Sequence, residues 1–395
     1  MQYMKYDVIV VGGGVVGSLA ALMLSIRSRG ALRVALIDAA HYRKPSRLRT
    51  SALATGPWEL LQDLAGKDLE RYQTPIRSME ISTSQWSPPS PPDLAFASGK
   101  SLAAVVSHAD LEPHLIGAAR QAGVELITGE AINFWTDQSC AFLCLDQGVT
   151  LQTSLLVAAD GEGSRLRIAS GIQSIERDYG RTALVATLCH EEPHHGAALQ
   201  IFYKPGPFAL LPLQGSRSSM VWVETTKRAE ELVSLPRKDL LLLVQEKSKG
   251  RFGSIIAFEE GPFSFPLKHR HAISLTSRRI LLAGDALRRI HPLAGQGLNL
   301  GLRDAAALAR CVIEYASLGV DLGALDVMRE YARLRQADSV LNSVFLDGFF
   351  DFLDLNSPGT EFARSAALRL VDRLTPLKDY FALEAGGLGG NHPFL

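Results

Sequence analysis

The stretch VIVVGGGVVGSLAALMLSI, Val8 to Ile26, decides how the rest of the chain is read. Its 19 residues carry no charge, and ~20 such residues cross a bilayer as a helix. Lys5 in front of it also imitates the start of a signal peptide. Three consecutive glycines, Gly12 to Gly14, have no place in an uninterrupted apolar helix. Tyr6 to Val11 is instead a β-branched apolar run, the pattern of a strand buried on both faces. Ser18 to Arg29 spaces Leu19, Leu22, Met23 and Ile26 as a helix does, with Gly30 as its stop. Arg33 to Asp38 (RVALID) is a second buried strand, which completes a βαβ unit.

Inside that unit lies Gly12-x-Gly14-x-x-Gly17, with Asp38 ending the next strand. The first glycine permits the tight turn, the second lets a pyrophosphate approach the backbone, and the third packs helix against strand. The helix N-terminus offers free N–H groups and a positive dipole end to phosphates. Asp38 is placed to accept hydrogen bonds from ribose hydroxyls. The motif predicts dinucleotide binding and does not by itself separate FAD from NAD.

Working outward, Leu111 to Ala122 reads as a helix, and Val124 to Ile127 and Leu151 to Asp160 as strands. Trp86 to Asp93 (WSPPSPPD) reads as a surface loop, because four prolines fix φ and remove donors. From Thr182 to Ser274 short strand-like runs predict a mostly antiparallel sheet, with a helix at Pro236 to Lys247. Arg279 to Ala283 (RILLA) is one more buried strand, Leu298 to Ala316 a long helix, and the remainder helical. The 395 residues exceed the ~250–300 at which single cores stop growing. Forty-one basic and 41 acidic residues cancel, which argues against nucleic-acid binding. The 47% hydrophobic content excludes disorder. Cys140, Cys144, Cys189 and Cys311 lack zinc-ligand spacing, so no metal and a reducing, cytoplasmic compartment are expected. His190, Glu191, His194 and His195 read as a solvated turn and not as a metal cluster.

A second constellation is Gly284-Asp285 after RILLA, followed by HPLAGQGLN, His291 to Asn299. An acid at a strand's end can hold a polyol hydroxyl. A glycine-rich turn entering a long helix points bare N–H groups at an anionic group, as a reduced flavin would present. An ordinary strand–loop–helix connection gives the same pattern, so the residues alone leave this choice open.

GDALRRIHPLAGQGLNLGLRDAAAL resembles the second FAD signature of the flavoprotein aromatic hydroxylases. Among them it is most similar to the branch that hydroxylates polyprenylated phenols in ubiquinone biosynthesis. VIVVGGGVVG is similar to the family's ADP-binding start, LRTSAL around Arg49 to its flavin-side helix approach, and LLVAADGEGSRLR to its middle Asp-Gly signature. DYGRTALVATL and GPFALLPL resemble its substrate-domain strands, and YARLR, Tyr331 to Arg335, its C-terminal helix. The resemblance covers essentially the whole chain.

It implies FAD as the cofactor, NAD(P)H as co-substrate, and hydroxylation of a phenol ring through a flavin C4a-hydroperoxide formed with O2. By the same resemblance Asp285 binds the ribitol chain. Pro292, Gly295, Gln296, Gly297, Leu298 and Asn299 line the flavin ring, Gly284 beside Asp285 binds the cofactor, Arg49 sits near it, and Asp160 and Gly161 lie near its pyrophosphate. His291 is the candidate general base, against the reading of a histidine that fixes the loop before Pro292.

The fold class is therefore α/β: a Rossmann-like FAD-binding domain, an inserted mostly antiparallel β-sheet substrate domain and a helical C-terminus. The FAD-binding parts are expected at 1–75, 106–181 and 276–340. Substrate-domain strands and the Pro-rich loop are expected at 76–105, the substrate sheet at 182–275 and the helical segment at 341–395. Expected partners are an aromatic, prenylated small molecule, a quinone-biosynthesis complex and a membrane touched peripherally through an apolar patch.

The chain also departs from the family. Leu287, Arg288 and Arg289 replace smaller residues and a histidine before His291-Pro292, and Ser107 and His108 stand where relatives carry an acid and Asn. Both changes fall in regions the resemblance places near the cofactor. Two rival readings stay open: a FAD-dependent reductase of a prenyl lipid, and a noncatalytic flavoprotein member of a biosynthetic complex. A run of phenylalanines between Val344 and Leu355 reads as packed helix or as the wall of an apolar channel.

Overall fold

The computed structural model describes residues 3–39, 49–97, 101–289 and 296–336, together with 365, 366, 368 and 369. Its first sheet is organised by Met4–Val11, whose Val8, Ile9 and Val10 are fully buried. That strand runs parallel to Val34–Asp38 on one side and to Thr150–Ala158 on the other. Ile280–Leu282 and Glu125–Thr128 extend the sheet outward, again in parallel. Because the order reverses at Met4–Val11, the carboxyl ends of these strands open a crevice, which is where open α/β sheets bind ligands.

The uncharged stretch is thus a strand, a turn and a helix. The helix spans Val15–Arg27, three residues earlier than the predicted start, and is buried on nearly every side by its neighbours. It packs against the long helix Gln296–Ser317 and against His108–Gln121. The last of these begins before the predicted Leu111 because the Ser107 side chain accepts the Ala109 N–H at 3.2 Å, capping the first turn.

A second, eight-stranded sheet carries Arg288–Arg289, Ile255–Ala272, Ser174–His190, Arg217–Thr225, Pro207–Leu213, Ala197–Phe202, Ser78–Thr83 and Leu94–Ala97 in that order. All its pairs are antiparallel except Ala197–Phe202 with Ser78–Thr83. One face, with Leu184, Leu188, Met220 and Trp222, is closed by the helices Thr226–Ser234 and Arg237–Lys247. The opposite face looks toward the first sheet. Part of it, at Ala198, Leu211 and Leu213, is covered by a small antiparallel sheet of Thr50–Ala54, Ala103–Ser107 and Gln73–Ile76.

Two expectations need correction. LRTSAL leads into a strand, Thr50–Ala54, and the helix Thr55–Ala65 starts only after it. The histidine-rich turn is solvated only in part: His190 and His194 are buried, while Glu191 and His195 are exposed. His190 bonds Ser218 Oγ and the Glu192 carbonyl, while His194 takes the Gly196 N–H and meets the Leu213 carbonyl. A polar turn folded against Phe252 hides its rings while its backbone stays near the surface. The Pro-rich segment forms no helix or strand between Trp86 and Asp93, but both of those residues are buried at its ends. Among the described residues no helix is long and apolar enough to cross a membrane. The phenylalanines after Val344 lie outside the described residues.

Candidate functional site

The glycine turn shows why each glycine is there. Gly12 sits at φ +112°, and a Cβ on it would lie 2.2 Å from the Ala159 carbonyl oxygen. A Cβ on Gly17 would lie 2.0 Å from the Gly12 carbonyl oxygen. Gly13, the residue between the motif positions, has an equally concrete reason: its Cβ would meet the Asp38 side chain at 2.9 Å. Gly14 is different, since nothing lies within 4 Å of where its Cβ would be. It faces the open side, at the start of a helix with no side-chain cap and no acid in its first turn.

That open side is a cavity of about 500 Å³ bordered by Gly12 to Gly14, Asp38, Asp160 and Gly161. The predicted residues from three separate segments therefore converge at the crevice. Asp38 Oδ2 accepts the Gly13 N–H at 2.6 Å, so this carboxylate shapes the turn as well as facing the cavity. Asp160 Oδ2 accepts the Arg165 N–H at 2.9 Å, while its buried Oδ1 has no hydrogen-bond partner. Burial pushes the Asp160 carboxyl above its ordinary range. An unfilled glycine cradle and an uncapped helix N-terminus fit a dinucleotide pyrophosphate, and the orphaned carboxyl oxygen suits a hydroxyl donor of the same ligand.

Farther along, Asp285 lies in the tight turn Gly284–Ala286, with Gly284 at φ +61°. Arg49 Nη2 meets Asp285 Oδ2 at 3.1 Å, joining residues 236 positions apart, both partly open to solvent. Arg49 is therefore not a stray surface cation. Its carbonyl accepts the His108 N–H at 2.9 Å, and His108 Nε2 is 2.9 Å from Ser51 Oγ. Burial holds the His108 imidazole below its ordinary range, against the opposing pull of Glu112. The Ser107-His108 departure thus supplies a helix cap and a buried neutral ring behind Arg49.

Asn299, predicted to line the flavin, turns its amide to the protein. Its Oδ1 accepts the Ala54 N–H and its Nδ2 donates to the Ala52 carbonyl, each at 2.9 Å, so it fixes the strand that follows Arg49. Gly297 and Leu298, in the same first turn of the helix, are half-buried. His291, Pro292 and Gly295 lie outside the described residues, as does the side chain of Gln296.

The cationic departure is also resolved. Arg288 does not face a cofactor: its side chain is buried and donates to Asp304 Oδ1 at 2.6 Å. Arg335, in YARLR, donates to the same oxygen at 2.7 Å, and Asp304 Oδ2 accepts the Gly284 N–H at 3.0 Å. Tyr331 adds a hydrogen bond to the Leu282 carbonyl. The Gly284–Ala286 turn is thus held from beneath by a buried charge cluster drawn from three segments. Arg289 pairs with Glu162, at the middle signature. Sequence reasoning missed Asp304 and Arg335 as supports, although both stand in segments that resemble the family. Among the described residues no group of His, Cys, Asp or Glu is arranged to hold a metal.

The comparisons agree with this geometry. A family model described as an FAD binding domain matches residues 5–320. Ubiquinone hydroxylase UbiL of Rhodospirillum rubrum is 37% identical over 246 residues, covering 62% of this chain and 56% of that protein. The match thus spans little more than half of that relative's length. 3-Demethoxyubiquinol 3-hydroxylase of Escherichia coli K12 is 28% identical over 378 residues, covering 94% of this chain and 96% of the relative. Among solved structures, p-nitrophenol 4-monooxygenase PnpA of Pseudomonas putida DLL-E4 superposes with a TM-score of 0.79 at 16% identity, covering 99% and 100% of the two chains. That likeness establishes the flavoprotein hydroxylase fold. With the family match running across the glycine turn, the Asp160 and Asp285 segments and the long helix, the chain belongs to the FAD-binding domain family, and FAD is its cofactor.

Proposed function

We propose that this chain is a FAD-dependent monooxygenase that hydroxylates the ring of a polyprenylated phenol in ubiquinone biosynthesis, using NAD(P)H and O2. The observation that carries the reading is the near end-to-end match, over 94% of this chain, to a protein named as a demethoxyubiquinol hydroxylase. In this reading residues 1–75, 106–181 and 276–340 hold the cofactor, 76–105 and 182–275 carry the substrate, and 341–395 close the C-terminal side.

FAD, when bound, supplies the electron transfer and the oxygen chemistry. The chain's own groups bind and orient. Gly14 and the Val15–Arg27 helix start receive the pyrophosphate, with Asp160 and Gly161 near it; Asp38 serves a ribose. Asp285 takes the ribitol chain, with Arg49 across from it. Residues 292–299 frame the ring, and His291 serves as proton acceptor for the phenol, whose deprotonation enriches the reacting carbon.

Arg288 and Arg289 motivated the noncatalytic alternative. With Arg288 committed to Asp304 and Arg289 to Glu162, that motive falls away. The reductase alternative is separated by experiment. Purified holoprotein given a prenylated phenol should consume NAD(P)H and O2 only when substrate is present, with an atom of labelled O2 in the product. NAD(P)H oxidation that leaves the ring unoxygenated and saturates the side chain would overturn the hydroxylase reading. A quinone-biosynthesis complex and peripheral membrane contact belong to this reading as well, and complete failure to bind anionic vesicles would remove the second.

A further inference from the structure

On the face of the large sheet opposite the helices Thr226–Ser234 and Arg237–Lys247, the more open residues form a line. Strand alternation and register place Phe263 opposite Val185, Val185 opposite Val221, and Val221 opposite Ala209. All four side chains stay partly open to solvent, Phe263 at 48%, and Phe265 beside it keeps 46%. Their neighbours Ala183, Val223 and Leu267 form a closed apolar cluster on the same face. None of these residues is charged. The small sheet covers the Ala198–Leu211–Leu213 side of this face and reaches Ser219 through Thr50.

The line changes character at one point. Two residues before Val221, Ser219 lies 2.9 Å from Thr50 Oγ1, and Thr50 follows Arg49, the partner of Asp285. Opposite Ser219 is Thr187, and opposite Thr187 is Glu260, so the side nearest the cofactor residues is polar. In the other direction the line crosses Val185 and Phe263 and runs off the sheet. The strand Ile255–Ala272 meets a further strand only at Arg270 and His271. A surface that is polar beside the cofactor and apolar out to an edge fits one molecule with a phenolic head and a hydrocarbon tail.

We infer that Val221, Val185, Phe263 and Phe265 form the track for the substrate's isoprenoid tail, with the phenol head at the end of the line where buried Ser219 meets Thr50, nearest Arg49. This rests on the proposed hydroxylase reading and adds the residues that select for the tail. Two strand spacings of ~4.8 Å give a floor of roughly 10 Å from Val221 to Phe263. The enzyme therefore reads the first part of the tail and leaves the rest to hang past the sheet edge.

The test uses FAD-loaded protein and phenols carrying one, three or six isoprene units. For the parent enzyme KM should fall from one unit to three and then level off. Phe263→Ala combined with Phe265→Ala should raise KM for the longer phenols by roughly 10- to 100-fold, the weight of two lost aromatic contacts. The one-unit phenol should stay within about twofold, since its head contacts are untouched. Phe263→Glu, which puts a charge on the track, should act in the same direction and more strongly.

A parallel arm measures binding without turnover, by displacement of a fluorescent farnesyl phenol. Chain-length-dependent binding that the alanine pair abolishes supports the track even if no phenol is oxygenated, in which case only the reaction assignment fails. Equal losses for all three phenols, or no loss for any, would overturn the track. So would variants that keep the chain-length profile but lose binding to phosphatidylglycerol vesicles, because the phenylalanines would then serve a lipid surface.

Discussion

The two cofactor signatures are built by opposite means. At Gly12 to Gly17 the site is made by what is missing. Side chains are absent where Ala159, Asp38 and Gly12 itself press against the turn, and one absence, at Gly14, leaves room for a ligand. At Gly284 to Ala286 the site is made by what is buried beneath it, two guanidinium groups and a backbone N–H gathered on Asp304. The first device is contained in a few consecutive residues. The second draws on residues 284, 288, 304 and 335, so its parts have meaning only after folding.

Breaking the second device should have the largest effect. Asp304→Ala leaves Arg288 and Arg335 as buried charges without their shared acceptor, a loss of ~3–5 kcal/mol. A drop in thermal unfolding temperature together with loss of bound FAD is the expected result. If Asp304→Ala melts with the parent protein, the turn is not held by charge and the contrast drawn above collapses.

The first device should break selectively. Gly17→Ala forces a methyl against the Gly12 carbonyl, where the Cβ would sit at 2.0 Å, and should cost ~1–3 kcal/mol or more. Gly14→Ala meets nothing within 4 Å and should change stability by less than about 1 kcal/mol. Its FAD dissociation constant should nevertheless rise at least about tenfold, because the methyl occupies the phosphate's approach. Chemical denaturation and flavin titration of both variants separate a steric need of the fold from a steric need of the ligand.

That division also explains what the sequence discloses. The βαβ unit, the glycine turn and Asp38 are legible because period, glycine spacing and strand ends are local properties. The mostly antiparallel second sheet is legible for the same reason, through short apolar runs between Gly and Pro. Arg288 could not be read, because as a letter it is a cation beside an expected cofactor, and its partner lies 16 residues onward in another element. His190 and His194 mislead in the same way: six polar or turn-forming residues in a row look solvated until Phe252, from a distant turn, and Ser218, from another strand, arrive. Asn299 was found by resemblance, yet its hydrogen bonds to Ala52 and Ala54 come from across the fold and make it a clamp.

A smaller, distributed effect follows from buried imidazoles. Burial lowers the affinity of His108, His190 and His271 for protons relative to the ordinary 6.5. A folded-state value below the unfolded one means the unfolded chain binds more protons on acidification. Their contribution is therefore intact above about pH 6.5 and is lost as pH falls from there toward the folded-state values. Denaturation midpoints from pH 8 to pH 5.5 should decline mainly in the lower half of that range. His108→Gln should flatten part of the decline while keeping a hydrogen-bonding partner for Ser51. An unaltered slope in that variant would assign the acid sensitivity to the other two rings.

The smallest effect on folding, and the one that tests the open side of the second device, belongs to the Arg49–Asp285 pair. Both side chains are partly exposed, so the ion pair contributes only ~0–1 kcal/mol to stability. Arg49→Ala should leave the unfolding midpoint nearly unchanged. If the pair instead orients Asp285 toward the cofactor, the variant should hold FAD more weakly and shift its bound-flavin absorbance, with Asp285→Ala giving the same shift. The double variant should then be no worse than either single one, since each removes the same interaction. Additive losses would show that Arg49 and Asp285 touch the cofactor independently, and that the salt bridge only fills the space between them.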